Sequence, residues 1–391
     1  MSVTAARGFV AAGVHAGIKP SGDPDLSLVA TVDGNAVEAA AVFTSNKLTA
    51  APVLTSDAHL ASTGGRAAAV ILNSGNANAA TGAAGRADAE AMCAATAAGL
   101  GCEPAEVLVC STGLIGIPLP IDVILAGIPA LVDARAEGTD AGDAAAAAIR
   151  TTDTFAKQST AAVGNSGAVV GGMAKGAAML APNMATMLAV VTTDAAVDHD
   201  TLRTMLRRAV QGSFNVLVTD ACQSTNDTVI VLASGAAGPV PDDDLQTALD
   251  SVCGDLARQM CEDAEGATKV IDLTVTGAAS AEDAEAAARK IAGSALCKCS
   301  WFGQDPYWGR LAAEAGAAGV AFDQEKVSVT YGGVQVAAGG VTVAHDEVAV
   351  TAHMAQRHLD IVVDLGLGDG SFTVLTNDLT HDYVDENTGG S

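Results

Sequence analysis

Residues 171–194 read GGMAKGAAMLAPNMATMLAVVTTD. A glycine pair and a lone lysine, Lys175, lead into Ala177, Ala178, Met179 and Leu180, and then into Ala181, Pro182 and Asn183. Proline disfavours helix at the residue before it, and asparagine is a common turn former. The chain is therefore predicted to bend just before Thr186 and to emerge as a buried strand over residues 189–193.

A small hydroxyl residue at the head of a core strand suits one particular chemistry. If the bond before Thr186 is cut, the freed α-amine, with a reference pKa of about 7.7–8.0, can act as base for the hydroxyl beside it. One residue then supplies both nucleophile and base. The same residues also fit a buried strand threonine bonded to a neighbouring carbonyl, because threonine is a common strand former. Lys175 adds a second constraint, since a lysine buried among Gly, Ala and Met needs an anionic partner. The order Lys175-Gly176 is not a phosphate loop, which requires Gly-Lys-Ser/Thr.

Outside this stretch, composition bounds the class. The chain has 391 residues and a formal charge of −25. That length suggests two or three domains, or one large two-layered unit. The acidic balance argues against nucleic acid and anionic membrane as partners, both of which need basic surface. No apolar run approaches the ~20 residues of a spanning helix, and residues 1–19 lack the basic and apolar regions of a secretory signal. The eight cysteines form no CxxC pair and no cluster with histidine, which points to reduced thiols in a cytoplasmic protein and to no metal site.

Along the chain, residues 27–31 and 36–44 read as strands joined in a hairpin by Asp33, Gly34 and Asn35. A strand at 67–72 runs into Asn73, Ser74, Gly75, Asn76, Ala77 and Asn78, which is either an active-site loop of amide donors or a structural Asx-turn cluster. A strand at 107–110 feeds Ser111, Thr112, Gly113 and Leu114, read as a strand-to-helix turn. Helices are predicted at 86–100, 118–134, 139–150, 198–212, 242–263 and 281–296, and residues 157–170 suit a hairpin or surface loop. Residues 326–352 read as hairpins about two glycine pairs, and 360–365 with 371–376 as a further hairpin. The glycines 366, 368 and 370 between that last pair open no helix, so they form a turn and not a dinucleotide loop.

The run MAKGAAMLAPNMATML (173–188) resembles the self-processing segment of the ornithine acetyltransferase family, the glutamate N-acetyltransferases of arginine biosynthesis. The stretches NKLTAAPV (46–53), ILNSGNANAATG (71–82), CSTGLIG (110–116), STNDTV (224–229), DAEGATK (263–269) and FGQDPYWGR (302–310) resemble the same family in the same order. The resemblance thus covers nearly the whole chain. It implies a layered α/β self-processing N-terminal-nucleophile-type fold, with strands of one core on both sides of the cleavage point.

It also implies a mechanism. Cleavage between Ala185 and Thr186 gives an α-chain, 1–185, and a β-chain, 186–391, which stay associated, as α2β2. Thr186 takes the acetyl group of N-acetylornithine and passes it to glutamate, with Thr112 and Gly113 as the oxyanion hole. Thr151 (Thr152 as alternate), Lys175, Glu265, Asn387 and Ser391 join Thr186 in holding the substrates. Some members also take acetyl-CoA as donor. No cofactor or metal is implied. The tail departs from the family pattern, since Gly389 and Gly390 stand where an aromatic is usual, so Ser391 is the weakest transfer. A self-processing amidase that uses water as acceptor is the rival enzymatic reading, and a non-enzymatic binding protein is the other.

Overall fold

The apolar run after Met187 forms the strand Leu188–Ala196, which sits inside a six-stranded sheet. In this computed structural model residues 2–180 and 187–388 are described. Pro182, Asn183, the Ala185–Thr186 bond and Ser391 lie outside the described residues. The sheet order is Arg66–Ala67, Val37–Phe43, Thr228–Pro239, Leu188–Ala196, Val169–Lys175, Lys157–Ala162. Val169–Lys175 and Leu188–Ala196 are antiparallel neighbours, Lys175 opposite Leu188. Strands from both sides of the Ala185–Thr186 bond therefore share one sheet.

A second, four-stranded sheet runs in the order Phe9–Val14, Leu26–Thr31, Ala69–Asn76, Val107–Leu114. Side chains alternate between the faces of a strand, and each of these sheets buries both. Val29, Val70, Leu72 and Leu108 of the smaller sheet meet Met173, Leu188, Val190 and Ile230 of the larger in one core, into which the helix Thr139–Ala148 also sends Ala145 and Ala146. The outer face of the smaller sheet buries Leu28, Ile71 and Val109 against the helices Gly82–Leu100 and Ile121–Asp133. On the outer face of the larger sheet, Gly172 meets Val252 and Leu256 of the helix Asp242–Glu262. The helix His199–Gln211 covers the same sheet nearby, with its His199 ring nitrogen on the Ala39 carbonyl. The result is a helix–sheet–sheet–helix stack. This unit takes in Met1–Ala177, Asn183–Asn215 and Gln223–Met260.

The other unit comprises Ala178–Pro182, Val216–Cys222 and Cys261–Ser391. Its seven-stranded sheet is ordered Leu217–Val218, Gly370–Asn377, Val270–Ala278, His358–Asp364, Ser328–Tyr331, Val334–Ala338, Val341–Thr342. Ala287, Ala288 and Ile291 of the helix Ala281–Ala292 pack with Ile271, Leu273, Ile361 and the fully buried Trp301 and Tyr331.

Several expectations are corrected. The turn at Asp33 and Gly34 is present, with Gly34 at φ +74°, but it joins two sheets and is not a hairpin. Leu26–Thr31 already has partners on both edges, Phe9–Val14 and Ala69–Asn76, so Val37–Phe43 pairs with Thr228–Pro239 instead. Likewise His358–Asp364 and Gly370–Asn377 do not pair with each other, because Val270–Ala278 lies between them. Their connection crosses the end of that strand at Gly368 and Gly370, where an added Cβ would strike the Ala278 and Ser280 carbonyls. The helix expected over 281–296 stops at Gly293 and restarts as Ala295–Phe302, capped by Ser294. Residues 347–354 form the helix Glu347–Met354, since Asp346 accepts the Val348 and Ala349 N–H groups as a cap. Finally, Thr112 and Gly113 are not a strand-to-helix turn but part of the strand Val107–Leu114.

Candidate active site

The parallel strands Ala69–Asn76 and Val107–Leu114 end together in NSGN and STGL, with Asn73 opposite Ser111, Ser74 opposite Thr112 and Gly75 opposite Gly113. The register then shifts at Asn76, the kind of irregularity that re-aims backbone groups. Gly113 sits at φ +133°, and a Cβ there would meet the Gly75 carbonyl carbon at 2.3 Å and Asn76 N at 2.5 Å. Only glycine fits this crossing.

The amides of the 73–78 loop brace protein groups. Asn73 donates to the Asn76 carbonyl, Asn76 to the Ile117 and Pro118 carbonyls, and Asn78 to the Gly85 carbonyl. The loop is a structural Asx cluster behind Thr112. Asn226, from the STND stretch, locks it further by donating to the Ala77 carbonyl at 2.6 Å and the Ser111 carbonyl at 2.9 Å.

Lys175 ends the strand Val169–Lys175 and is buried. Its ammonium donates to Thr151 Oγ1 at 2.7 Å and Thr112 Oγ1 at 3.3 Å. An ammonium has no acceptor capacity, so each hydroxyl accepts here and keeps its own proton to donate elsewhere. For Thr112 that leaves the donor an oxyanion site needs. Thr151 and Thr152 are both exposed, and it is Thr151 whose hydroxyl reaches the lysine.

The anionic partner that a buried lysine demands is Asp153. Its Oδ2 lies 3.9 Å from Lys175 Nζ and its Oδ1 accepts from Lys157 Nζ at 2.6 Å, both side chains of the Asp153–Lys157 pair being fully buried. Burial alone would raise the Asp153 carboxyl, but the Lys175 and Lys157 ammonium groups and the Gly176 N–H outweigh it and hold it below the ordinary carboxylate range. Removing one partner of such a buried pair typically costs ~3–5 kcal/mol.

A second carboxyl, Asp227, is buried just before the strand Thr228–Pro239, beside the head of Leu188–Ala196. Its Oδ1 accepts the Met187 N–H at 3.0 Å, and Thr228 N–H bonds the Met187 carbonyl at 3.1 Å. Burial pushes the Asp227 carboxyl well above the carboxylate range, only partly offset by the Met187 N–H. The residue after Thr186 is thus pinned on both its backbone groups.

Glu265 and Asn387 belong to the other unit. Asn387 caps the helix His381–Glu386, and its amide donates to Glu265 Oε2 at 2.8 Å and to the Tyr383 carbonyl. Gly266 has φ +61°, and its Cβ position would fall 2.3 Å from Tyr383 N, which keeps the EG loop against that helix.

Thr112, Gly113, Thr151 and Lys175 are thus gathered in one unit and Glu265 with Asn387 in the other. Thr186, Ala185 and Ser391 lie outside the described residues. Sequence reasoning missed Asp153, Lys157, Asn226 and Asp227. The charge argument on Lys175 required a carboxylate, but TTDTFAK carries no local pattern that singles out Asp153. Among the described residues no group of His, Cys, Asp and Glu is arranged to hold a metal ion, and no helix is long and apolar enough to cross a membrane.

Comparison with known proteins identifies the family. The sequence profile of the ArgJ family matches residues 10–389. The arginine biosynthesis bifunctional protein ArgJ of Mycolicibacterium paratuberculosis is 52% identical over 396 residues, covering 100% of this chain and 96% of that protein. Its counterpart in Thermobifida fusca is 48% identical over 392 residues, covering 100% of both. A crystal structure of ornithine acetyltransferase complexed with ornithine, from Mycobacterium tuberculosis, aligns with 46% of this chain and 94% of that one at 48% identity and a TM-score of 0.42. The chain belongs to the ArgJ family.

Proposed function

We propose that the chain moves an acetyl group from N-acetylornithine to glutamate through an acetyl-Thr186 intermediate, after cutting itself between Ala185 and Thr186. Glutamate N-acetyltransferase activity in arginine biosynthesis follows from membership of the family. The site residues and the covalent step are our reading. The observation that carries them is the Lys175 ammonium held on the hydroxyls of Thr112 and Thr151.

In this mechanism the Thr186 α-amine takes the hydroxyl proton as Thr186 Oγ1 attacks the acetyl carbonyl. The Thr112 hydroxyl and the Gly113 N–H receive the oxyanion, and one such donor is typically worth ~2.7–4 kcal/mol. Ornithine leaves with the proton, glutamate enters, and the same steps run in reverse. Lys175 and Thr151, with Thr152 as alternate, bind the carboxylate common to both amino acids. Glu265 takes the α-amine, and Asn387 and Ser391 close over the substrate. The fragments 1–185 and 186–391 remain together through their shared sheet and assemble as α2β2 in the cytoplasm.

The test is a two-substrate assay of the purified protein. N-acetylornithine and glutamate should give ornithine and N-acetylglutamate in equal amounts, with parallel-line ping-pong kinetics. Acetate in place of N-acetylglutamate would make the protein a hydrolase, and intersecting lines would remove the acetyl-enzyme.

A further inference from the structure

We propose that Asp153, steadied by Lys157, is a positioning residue for acetyl transfer, fixing the Lys175 ammonium on the hydroxyls of Thr112 and Thr151. The inference rests on the reading that Lys175 and Thr151 hold substrate.

Asp153 is built into the site from three directions. Its Oδ2 accepts the Thr151 N–H at 3.1 Å, which sets the residue whose hydroxyl meets Lys175. Its Oδ1 accepts the Gly176 N–H at 2.7 Å, which sets the backbone next to Lys175. Lys157, at the head of the neighbouring strand Lys157–Ala162, holds that same oxygen at 2.6 Å. One carboxylate thus ties the 151–153 loop to the ends of two paired strands, with Lys157 opposite Ala174. Swinging Asp153 away would release Thr151 and Lys175 together.

Charge points the same way. Lys19 and Arg150 add positive charge on the side of the 150–153 loop, Lys19 Nζ donating to the Arg150 carbonyl at 2.6 Å. Arg150 in turn donates to the Asp153 carbonyl at 2.9 Å. Two carboxyls act on Lys175 from within the core, Asp153 and Asp227. Burial raises the Asp227 carboxyl well above the ordinary carboxylate range, whereas the two lysines hold Asp153 below it. Asp153 is therefore the buried anionic partner that Lys175 and Lys157 share.

The experiment compares wild type, Asp153→Asn, Asp153→Glu, Asp153→Asn/Lys157→Gln and Lys175→Gln in the acetyl-transfer assay from pH 6 to 9, with thermal melts of each. Asn keeps the shape and one acceptor but leaves two buried cations facing a neutral amide. The expected result is a KM for both amino-acid substrates raised ~10-fold or more, and a kcat/KM ratio to wild type that falls as pH rises, because Lys175 loses its proton more easily. The Asp153→Asn/Lys157→Gln variant removes the competing cation. It should flatten the pH dependence and leave KM high, even if the single variant folds poorly. Asp153→Glu should return most of the affinity.

A merely structural aspartate would lower melting temperature and active fraction while leaving KM and the pH profile of the folded fraction unchanged. A folded Asp153→Asn or double variant with KM within twofold of wild type and a pH-independent ratio overturns the inference. Lys175→Gln separates the two readings. If it keeps wild-type KM, the substrate role of Lys175 fails; if it loses affinity and the Asp153 variants do not, only the present inference fails.

Discussion

Gly113→Ala isolates the crossing of the two strand ends. An added Cβ would lie 2.3 Å from the Gly75 carbonyl carbon, 2.5 Å from Asn76 N and 2.7 Å from the Gly75 carbonyl oxygen. All three are backbone atoms, so no side-chain rotation relieves the contact. The residue also sits at φ +133°, a region that costs a non-glycine residue on the order of 1–3 kcal/mol. Forcing the strands apart adds ~1–3 kcal/mol of overpacking. Together these give a destabilisation of about 2–6 kcal/mol. Gly116 is the control, because it also has positive φ, +81°, but nothing lies within 4 Å of its Cβ position. Gly116→Ala should cost only ~1–2 kcal/mol of left-handed strain. Urea unfolding of the two variants reads the difference, and kcat of the folded fraction reads the site. Moving Thr112 and the 113 N–H should lower kcat at least ~100-fold if both receive an oxyanion. A Gly113→Ala protein as stable as Gly116→Ala, with wild-type kcat, would show that neither the strand crossing nor an oxyanion site depends on Gly113.

Three other perturbations probe Asp227, Lys298 and Asn226. Asp227 binds its proton more tightly folded than unfolded, so wild type should lose stability relative to Asp227→Asn as pH rises above about 4. Denaturation at pH 5, 7 and 8 checks this, and a wild-type gain with pH would mean Asp227 is ionised and paired. Lys298 is the reverse case in the other unit. Burial lowers it to about 8, while its ammonium donates to Thr376 Oγ1 and the Asn377 carbonyl. The folded state then sheds the proton first, so wild type should gain ~2–3 kcal/mol over Lys298→Met between pH 7 and 10. No relative gain in urea titrations at those two pH values would contradict it. Asn226→Ala leaves the buried Ala77 and Ser111 carbonyls without that donor and should cost ~1–3 kcal/mol together with a lower kcat. Loss of stability alone would show that the 73–78 loop does not transmit to Thr112.

Much of the local structure was legible because its causes are local. The helix His199–Gln211 carries its own start signal in Asp198, which accepts the Thr201 N–H, and its own apolar face in Leu202, Met205, Leu206, Ala209 and Val210. Turn residues likewise marked where the chain reverses at Gly34, but turn chemistry does not name a strand's partner. Partner choice depends on which edges are already occupied, and residues 27–31 give no hint that both of theirs are. The candidate site follows the same rule. Thr112, Gly113, Thr151 and Lys175 came from motif resemblance, whereas Asp153 and Asp227 matter through contacts made across distant segments, 22 residues apart in the Asp153–Lys175 pair and 40 in the Asp227–Met187 pair. A carboxylate that completes a charge cluster is defined by what folding brings beside it.

In the proposed mechanism Thr186 is freed by cleavage and carries the acetyl group. The most direct measurement is the intact mass of the purified protein after brief incubation with N-acetylornithine. The expected result is two fragments, 1–185 and 186–391, with one acetyl group on the second, mapped to Thr186. A single uncleaved chain of 391 residues that nevertheless transfers acetyl, or an acetyl group on any other residue, would contradict it.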